Sequence, residues 1–308
     1  MLPNIPELPT QLAPETLVGA ITAFLHRQPP RKLVLIRRAL NDAIDQAGPD
    51  AMAQLSAQLA TTGADWDYYP SNPLARRIHR ILADQLLDAH STVVGLDNVE
   101  KASGKRVVIF ANHLSYSDAN LIEVLLQRAG ATPLADRLTV VAGPKVYSSL
   151  QRRFSSLCFG TIKTPQSSAR SSEDAVMNPR EVARAARRTI EIANERLRAG
   201  EALLVFAEGS RSRTRGMQQM LAAVSRYVDE PDTWVLPMGI TGTEELFPIG
   251  EDTIHPFPTI VRAGAPISAD ALRDTNNGNR QLMMDQVGAA IASLLPPDYR
   301  GTYAPAAS

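Results

Sequence analysis

Arg106-Val107-Val108-Ile109-Phe110-Ala111-Asn112-His113-Leu114-Ser115-Tyr116-Ser117-Asp118 begins as an unbroken apolar run and ends in polar residues. An apolar run without alternation, as over 106–110, marks a strand buried on both faces. His113 stands just past its end. Downstream, Leu121, Ile122, Leu125 and Leu126 recur at helical spacing over 119–128, with Ser115 or Ser117 available as N-cap and Gly130 to close the helix. Asp118 therefore falls in the first helical turn, where the helix dipole favours its ionised form. The chain can fold back there so that the carboxylate meets the imidazole. A carboxylate on Nδ1–H fixes the tautomer that leaves Nε2 free to accept a proton. A structural ion pair fits the same spacing, so this stretch alone leaves catalysis and packing both open.

A second buried-strand run, Ala202-Leu203-Leu204-Val205-Phe206, is followed by Ala207-Glu208-Gly209-Ser210-Arg211-Ser212-Arg213-Thr214. These residues leave a strand end, where open α/β sheets place their sites. Arg211 and Arg213 can hold a phosphate by forked hydrogen bonds that a lysine does not reproduce. A solvated basic loop beside a structural Glu208 is the other reading of the same letters.

Both segments resemble, in letters, order, spacing and strand context, the two strongest motifs of the glycerophospholipid acyltransferase family. That group acylates glycerol-3-phosphate and 1-acylglycerol-3-phosphate. The resemblance implies that His113 is a general base and that Asp118 orients it. It implies that Glu208, Gly209 and Arg211 bind the acceptor phosphate, with Arg213 as helper. Phe159-Gly160-Thr161-Ile162-Lys163 lies where the family has a block ending in a basic acceptor-binding residue, although arginine is more usual there than Lys163. Val235-Leu236-Pro237-Met238-Gly239-Ile240 resembles a fourth block, whose proline, here Pro237, lines the acyl site. Ala207 stands where many members have proline. The resemblance covers about residues 90–265 of the sequence.

At 308 residues the chain can bury a full core, and length alone allows one or two domains. Lys plus Arg and Asp plus Glu both number 32, so the balance gives no support to nucleic-acid binding, and phosphate recognition must be local. The one cysteine, Cys158, excludes an internal disulfide and fits a reducing cytoplasm. The apolar stretch at 17–25 is far below the ~20 residues that span a bilayer. It also lacks the basic flank and cleavage site of a secretory signal. An acceptor with an acyl tail lives in a membrane, so the resemblance implies peripheral attachment on the inner face. The stretch 145–163 mixes Lys145, Arg152 and Arg153 with Leu150, Phe154, Leu157 and Phe159. That mixture suits either an anionic lipid surface or an amphipathic helix facing the core.

Along the chain, residues 1–62 read as helices broken by prolines, over 14–26, 32–46 and 50–61. The aromatic and proline-rich stretch 63–73 forms a boundary, and a helix follows over 74–90. Strand patterns fall near 92–96, 105–111, 138–142, 158–162, 202–207, 234–241 and 258–263. Asn178 and Pro179 start a helix that Gly200 ends. The polar segment 164–177 reads as a loop. The alternation predicts an α/β fold: a mixed, largely parallel sheet flanked by helices, preceded by a small helical N-terminal domain over 1–70, with the acyltransferase domain over 71–308.

The implied chemistry is transfer of a fatty acyl group from an acyl thioester, acyl-CoA or acyl carrier protein, to a hydroxyl of glycerol-3-phosphate or 1-acylglycerol-3-phosphate, a step of phospholipid biosynthesis. No cofactor or metal is required. Hydrolysis of the thioester, with water replacing the alcohol at the same base, and transfer to a different alcohol are the alternatives.

Overall fold

The computed structural model describes residues 8–165, 178–251 and 253–305. Most of the polar loop expected over 164–177 lies outside them. The strands are β1 (Tyr68–Tyr69), β2 (Thr92–Val94), β3 (Arg106–Ala111), β4 (Leu138–Ala142), β5 (Gly160–Lys163), β6 (Ala202–Val205), β7 (Thr233–Thr241), β8 (Ile260–Ala263) and β9 (Ile267–Ser268). By contacts the chain divides into two units, each discontinuous in sequence. One comprises Met1–Leu87, Ala142–Thr189 and Gly250–Pro256, the other Asp88–Val141, Ile190–Ile249 and Phe257–Ser308.

The first unit is mainly helical. Helix Pro14–Ile21 precedes a long run, Pro30–Thr61, that bends where the sequence breaks it: Gly48 takes φ 83° and ψ 169° immediately before Pro49. No helical residue adopts those angles, and the proline ring forbids a straight continuation. Helix Pro73–Leu86 starts at Asn72, whose side chain accepts from Leu74 N and Ala75 N at 2.9 and 3.1 Å. These helices bury Leu17, Ile21, Leu25, Ile36, Leu40, Leu55, Leu59 and Ile78. β1 pairs β5 antiparallel.

The stretch 145–163 resolves in favour of the core. Phe154, Leu157 and Phe159 are at most 3 % exposed, which removes them from any lipid-facing surface. Arg153 is buried as well. Its Nη1 donates to Leu59 O at 3.0 Å and to Ala60 O at 3.4 Å, the last-turn carbonyls of the long helix. A cation there meets the negative end of the helix dipole and satisfies acceptors that have no partner within the helix. The buried Cys158 sulfur lies 3.5 Å from Phe154 O.

The second unit carries the sheet that holds both motifs. Its strand order is β4-β6-β3-β7-β8-β2, with β9 also pairing β7. Ladders β4–β6, β6–β3, β3–β7 and β8–β2 are parallel. Ladders β7–β8 and β7–β9 are antiparallel. This is the mixed, largely parallel sheet expected from the alternating pattern. Val107, Val108, Ile109 and Phe110 are each 0 % exposed, the double-sided burial that an uninterrupted apolar run requires. Pro237 is buried in β7 between the residues that pair β9 (Trp234, Val235) and those that pair β8 (Met238 to Thr241). A residue without an N–H is tolerated where one partner strand hands over to another. Helix Asp118–Arg128 returns the chain from β3, and Gly130 (φ 83°) ends it as read from the sequence.

Candidate active site

β3 ends at Ala111, and the next residue extends the ladder with its side chain. Asn112 Nδ2 donates to Ile240 O at 2.9 Å, and Ile240 N donates to Asn112 Oδ1 at 2.8 Å. The amide thus replaces one rung of backbone and anchors the point from which His113 departs. The His113 backbone is tied on both sides: its N–H donates to Glu208 Oε1 at 2.9 Å, and its carbonyl accepts from Ser212 N at 2.8 Å. Its ring stacks on Phe206, with centroids 4.2 Å apart and planes 18° from parallel.

His113 Nδ1 donates to Asp118 Oδ2 at 2.8 Å. Asp118 opens helix Asp118–Arg128, as its spacing predicts, and is completely buried. Its Oδ2 also accepts from Leu114 N at 2.7 Å and Ser115 N at 3.0 Å. Its Oδ1 accepts from Thr243 Oγ1 at 2.6 Å. Ser117 occupies the N-cap position without capping through its side chain. With Nδ1 committed, Nε2 is the ring nitrogen left without a hydrogen-bond partner among the described residues, on a side chain 17 % exposed. Such an imidazole can take a proton at Nε2 while the carboxylate stabilises the resulting charge.

The second motif leaves β6 through a turn in which Gly209 N donates to Phe206 O at 3.2 Å and Gly209 takes φ 74°. Glu208 is completely buried, and backbone donors occupy both its oxygens, from His113 at 2.9 Å and Gln218 at 2.7 Å. Its observed role is to brace the His113 segment against the loop that follows the motif. Arg211 is half-buried, with its guanidinium 3.7 Å from the Tyr116 ring centroid, a cation–π contact joining the two motifs. Neither Arg211 nor the exposed Arg213 has a hydrogen-bond acceptor among the described residues, so their N–H donors are open to an anion.

Burial pushes the Glu208 carboxyl up to about 7, against the lowering effect of its two N–H donors, and the neighbouring Asp118 charge adds to the rise. A carboxyl raised above its ordinary 4.5 holds its proton more tightly when folded, so its stabilising contribution is present below pH 4.5 and is lost as pH climbs to about 7. The shift corresponds to roughly 3 kcal/mol. Glu208→Gln cannot ionise, and it is expected to flatten the decline of melting temperature across that interval. A variant with the wild-type slope would assign the decline to other groups.

Thr243, Asn112, Phe206, Tyr116 and Gln218 complete the site, and the sequence gives none of them a role. In the turn after β7, Glu244 accepts from Tyr299 Oη, and Glu245 pairs with Arg215. Lys163 belongs to the first unit and is completely buried. Its ammonium donates to Gly63 O at 2.5 Å and lies 4.5 Å from the Trp66 ring centroid. Burial lowers its pKa to about 8.

At the ends of β3 and β6 the sheet thus holds a buried His–Asp pair able to take a proton and, next to it in the second motif, arginines with no acceptor among the described residues. Residues 90–241 match the Acyltransferase family model. The matched segment contains both motifs that resemble those of the glycerophospholipid acyltransferases. No curated protein matches the chain. Among solved structures, the chain is similar to the 1-acyl-sn-glycerophosphate (LPA) acyltransferase PlsC from Thermotoga maritima. The two share 17 % identity over 80 % of this chain and 83 % of that one, with a TM-score of 0.44. Among the described residues no helix is long and apolar enough to cross a membrane.

Proposed function

We propose that the chain transfers a fatty acyl group from an acyl thioester to a hydroxyl of glycerol-3-phosphate or 1-acylglycerol-3-phosphate. The observation that carries this reading is the 2.8 Å bond from His113 Nδ1 to a buried Asp118, which leaves Nε2 free. In the proposed reaction Nε2 removes the acceptor hydroxyl proton as that oxygen attacks the thioester carbonyl. The tetrahedral oxyanion then collapses, the C–S bond breaks, and the imidazolium returns its proton to the leaving thiolate. Arg211, with Arg213 beside it, takes the acceptor phosphate. Gly209 supplies the turn that presents them, and Glu208 holds that turn to the His113 segment. Pro237 as a lining residue of the acyl site and a cytoplasmic, peripheral attachment to the membrane that stores acylated acceptors belong to the same reading.

The test is mass-spectrometric detection of the ester formed from acyl-CoA, or from acyl carrier protein, with each acceptor. A phosphate-bearing ester is expected, and release of free fatty acid alone would favour hydrolysis. Within this reading, Arg211→Ala is expected to raise the KM for the phosphorylated acceptor by about 10- to 100-fold with kcat little changed, the loss of one or two hydrogen bonds to a charged group. Arg213→Ala, at an exposed position, is expected to do less. An unchanged acceptor KM in the Arg211 variant would move the phosphate site elsewhere.

A further inference from the structure

Asp118 is a completely buried carboxylate, so each of its oxygens needs donors. The donors divide unequally. Oδ2 receives three, all from the short segment 113–115. Oδ1 receives one among the described residues, the Thr243 hydroxyl, from a residue 125 positions further on. The carboxylate plane turns about Cβ–Cγ, which moves both oxygens together. A donor at Oδ1 from a distant segment therefore adds a second, independent restraint on that rotation.

The backbone is built to deliver this hydroxyl. β7 ends at Thr241, and Gly242 turns the chain at φ 91°. A Cβ on Gly242 would lie 2.1 Å from Pro258 O, so only glycine makes this turn. Glu244 Oε2 accepts from Gly242 N at 3.1 Å and holds the turn closed. Thr243 is thereby the first residue of the short helix Thr243–Leu246, and it is completely buried. A valine would fill the same space, and the described acceptor for the hydroxyl is Asp118. Thr243 also lies beyond residues 90–241, so the matched segment does not contain it.

We infer that Thr243 is a positioning residue for the proposed base: its hydroxyl fixes the Asp118 carboxylate and, through it, the tautomer and orientation of the His113 ring. The inference rests on the acyl-transfer reading given above. Thr243→Val removes the donor at nearly constant volume, and Thr243→Ser restores it.

The experiment measures thiol release against acceptor concentration for the full chain and both variants, together with melting temperatures and the side-chain nitrogen resonances of His113. Thr243→Val is expected to lower kcat by about 10- to 100-fold, the consequence of an unmade hydrogen bond to a buried charge. Acceptor KM should stay within about twofold, since the phosphate contacts are untouched. The His113 resonances should shift from a single Nδ1–H tautomer towards a mixture, and Thr243→Ser should recover both rate and resonances. A folded Thr243→Val protein with wild-type kcat and unchanged His113 resonances would overturn the inference. So would a serine variant as impaired as the valine one, which would mark Thr243 as packing only. Should Thr243→Val fail to fold, Thr243→Ala supplies the same comparison with a smaller side chain. If the wild type shows no acyl transfer, the reading above fails, while the resonances still decide whether Thr243 positions the ring.

Discussion

Replacing His113 by alanine is expected to lower the rate of acyl transfer by roughly 10²–10⁴, the usual contribution of a general base. The fold should survive, because the bonds that tie this residue to its surroundings run through its backbone: N–H to Glu208 and carbonyl from Ser212. Asp118 would lose one of its donors and keep Leu114, Ser115 and Thr243. The stacking partner Phe206 would lose one face contact. The loss should therefore fall on kcat, with a near-native melting curve and an unchanged acceptor KM. Activity within a few-fold of wild type in a folded His113→Ala protein would remove the imidazole from the reaction.

Asp118→Asn is expected to be nearly as damaging, and the observed contacts say why. An amide oxygen placed at the Oδ2 position still accepts from His113, Leu114 and Ser115. An amide nitrogen at the Oδ1 position faces the Thr243 hydroxyl, which can rotate and accept instead of donating. The geometry can thus be kept while the negative charge is lost, so a fall of about 10²–10⁴ in kcat measures stabilisation of the imidazolium in the transition state. Were Asp118 only a first-turn charge on its helix, its loss would cost about 0.3–1 kcal/mol of stability and leave turnover intact. Turnover and melting temperature together separate the two: a slightly destabilised, fully active Asp118→Asn protein would dissolve the proposed pair.

The sheet was legible because its central strands are buried on both faces and therefore read as continuous apolar runs. β3, β4, β6 and β7 fall within about two residues of the positions read from composition, since double-sided burial leaves little freedom of residue type. β1 and β9, at two residues each, carry no period to detect. The break in the long N-terminal helix was legible through Pro49, although the strain is taken by Gly48. The stretch around Phe154 shows the limit of pattern: an apolar stripe with basic neighbours looks the same whether it meets lipid or core, and burial of Arg153 against helix-end carbonyls decides for the core.

For the site, His113 and Asp118 were legible because their bond spans five residues, within one strand-to-helix turn. Their supports were not. Glu208 reaches His113 across 95 residues, Asn112 reaches Ile240 across 128, and Thr243 reaches Asp118 across 125. A hydroxyl or amide that acts only through a tertiary contact has no local signature. Glu208 reads as a phosphate ligand from its motif, and in the structure its two oxygens accept from the backbone of His113 and Gln218.

The most direct measurement is acceptor-dependent thiol release by wild-type and His113→Ala proteins side by side, with acyl-CoA and with acyl carrier protein as donor. Glycerol-3-phosphate, 1-acylglycerol-3-phosphate and an unphosphorylated alcohol serve as acceptors. Release that rises with a phosphorylated acceptor, ignores the unphosphorylated alcohol and collapses in the His113 variant is the expected result. Release at the same rate without acceptor, or untouched by loss of the imidazole, would contradict acyl transfer driven by the His113–Asp118 pair.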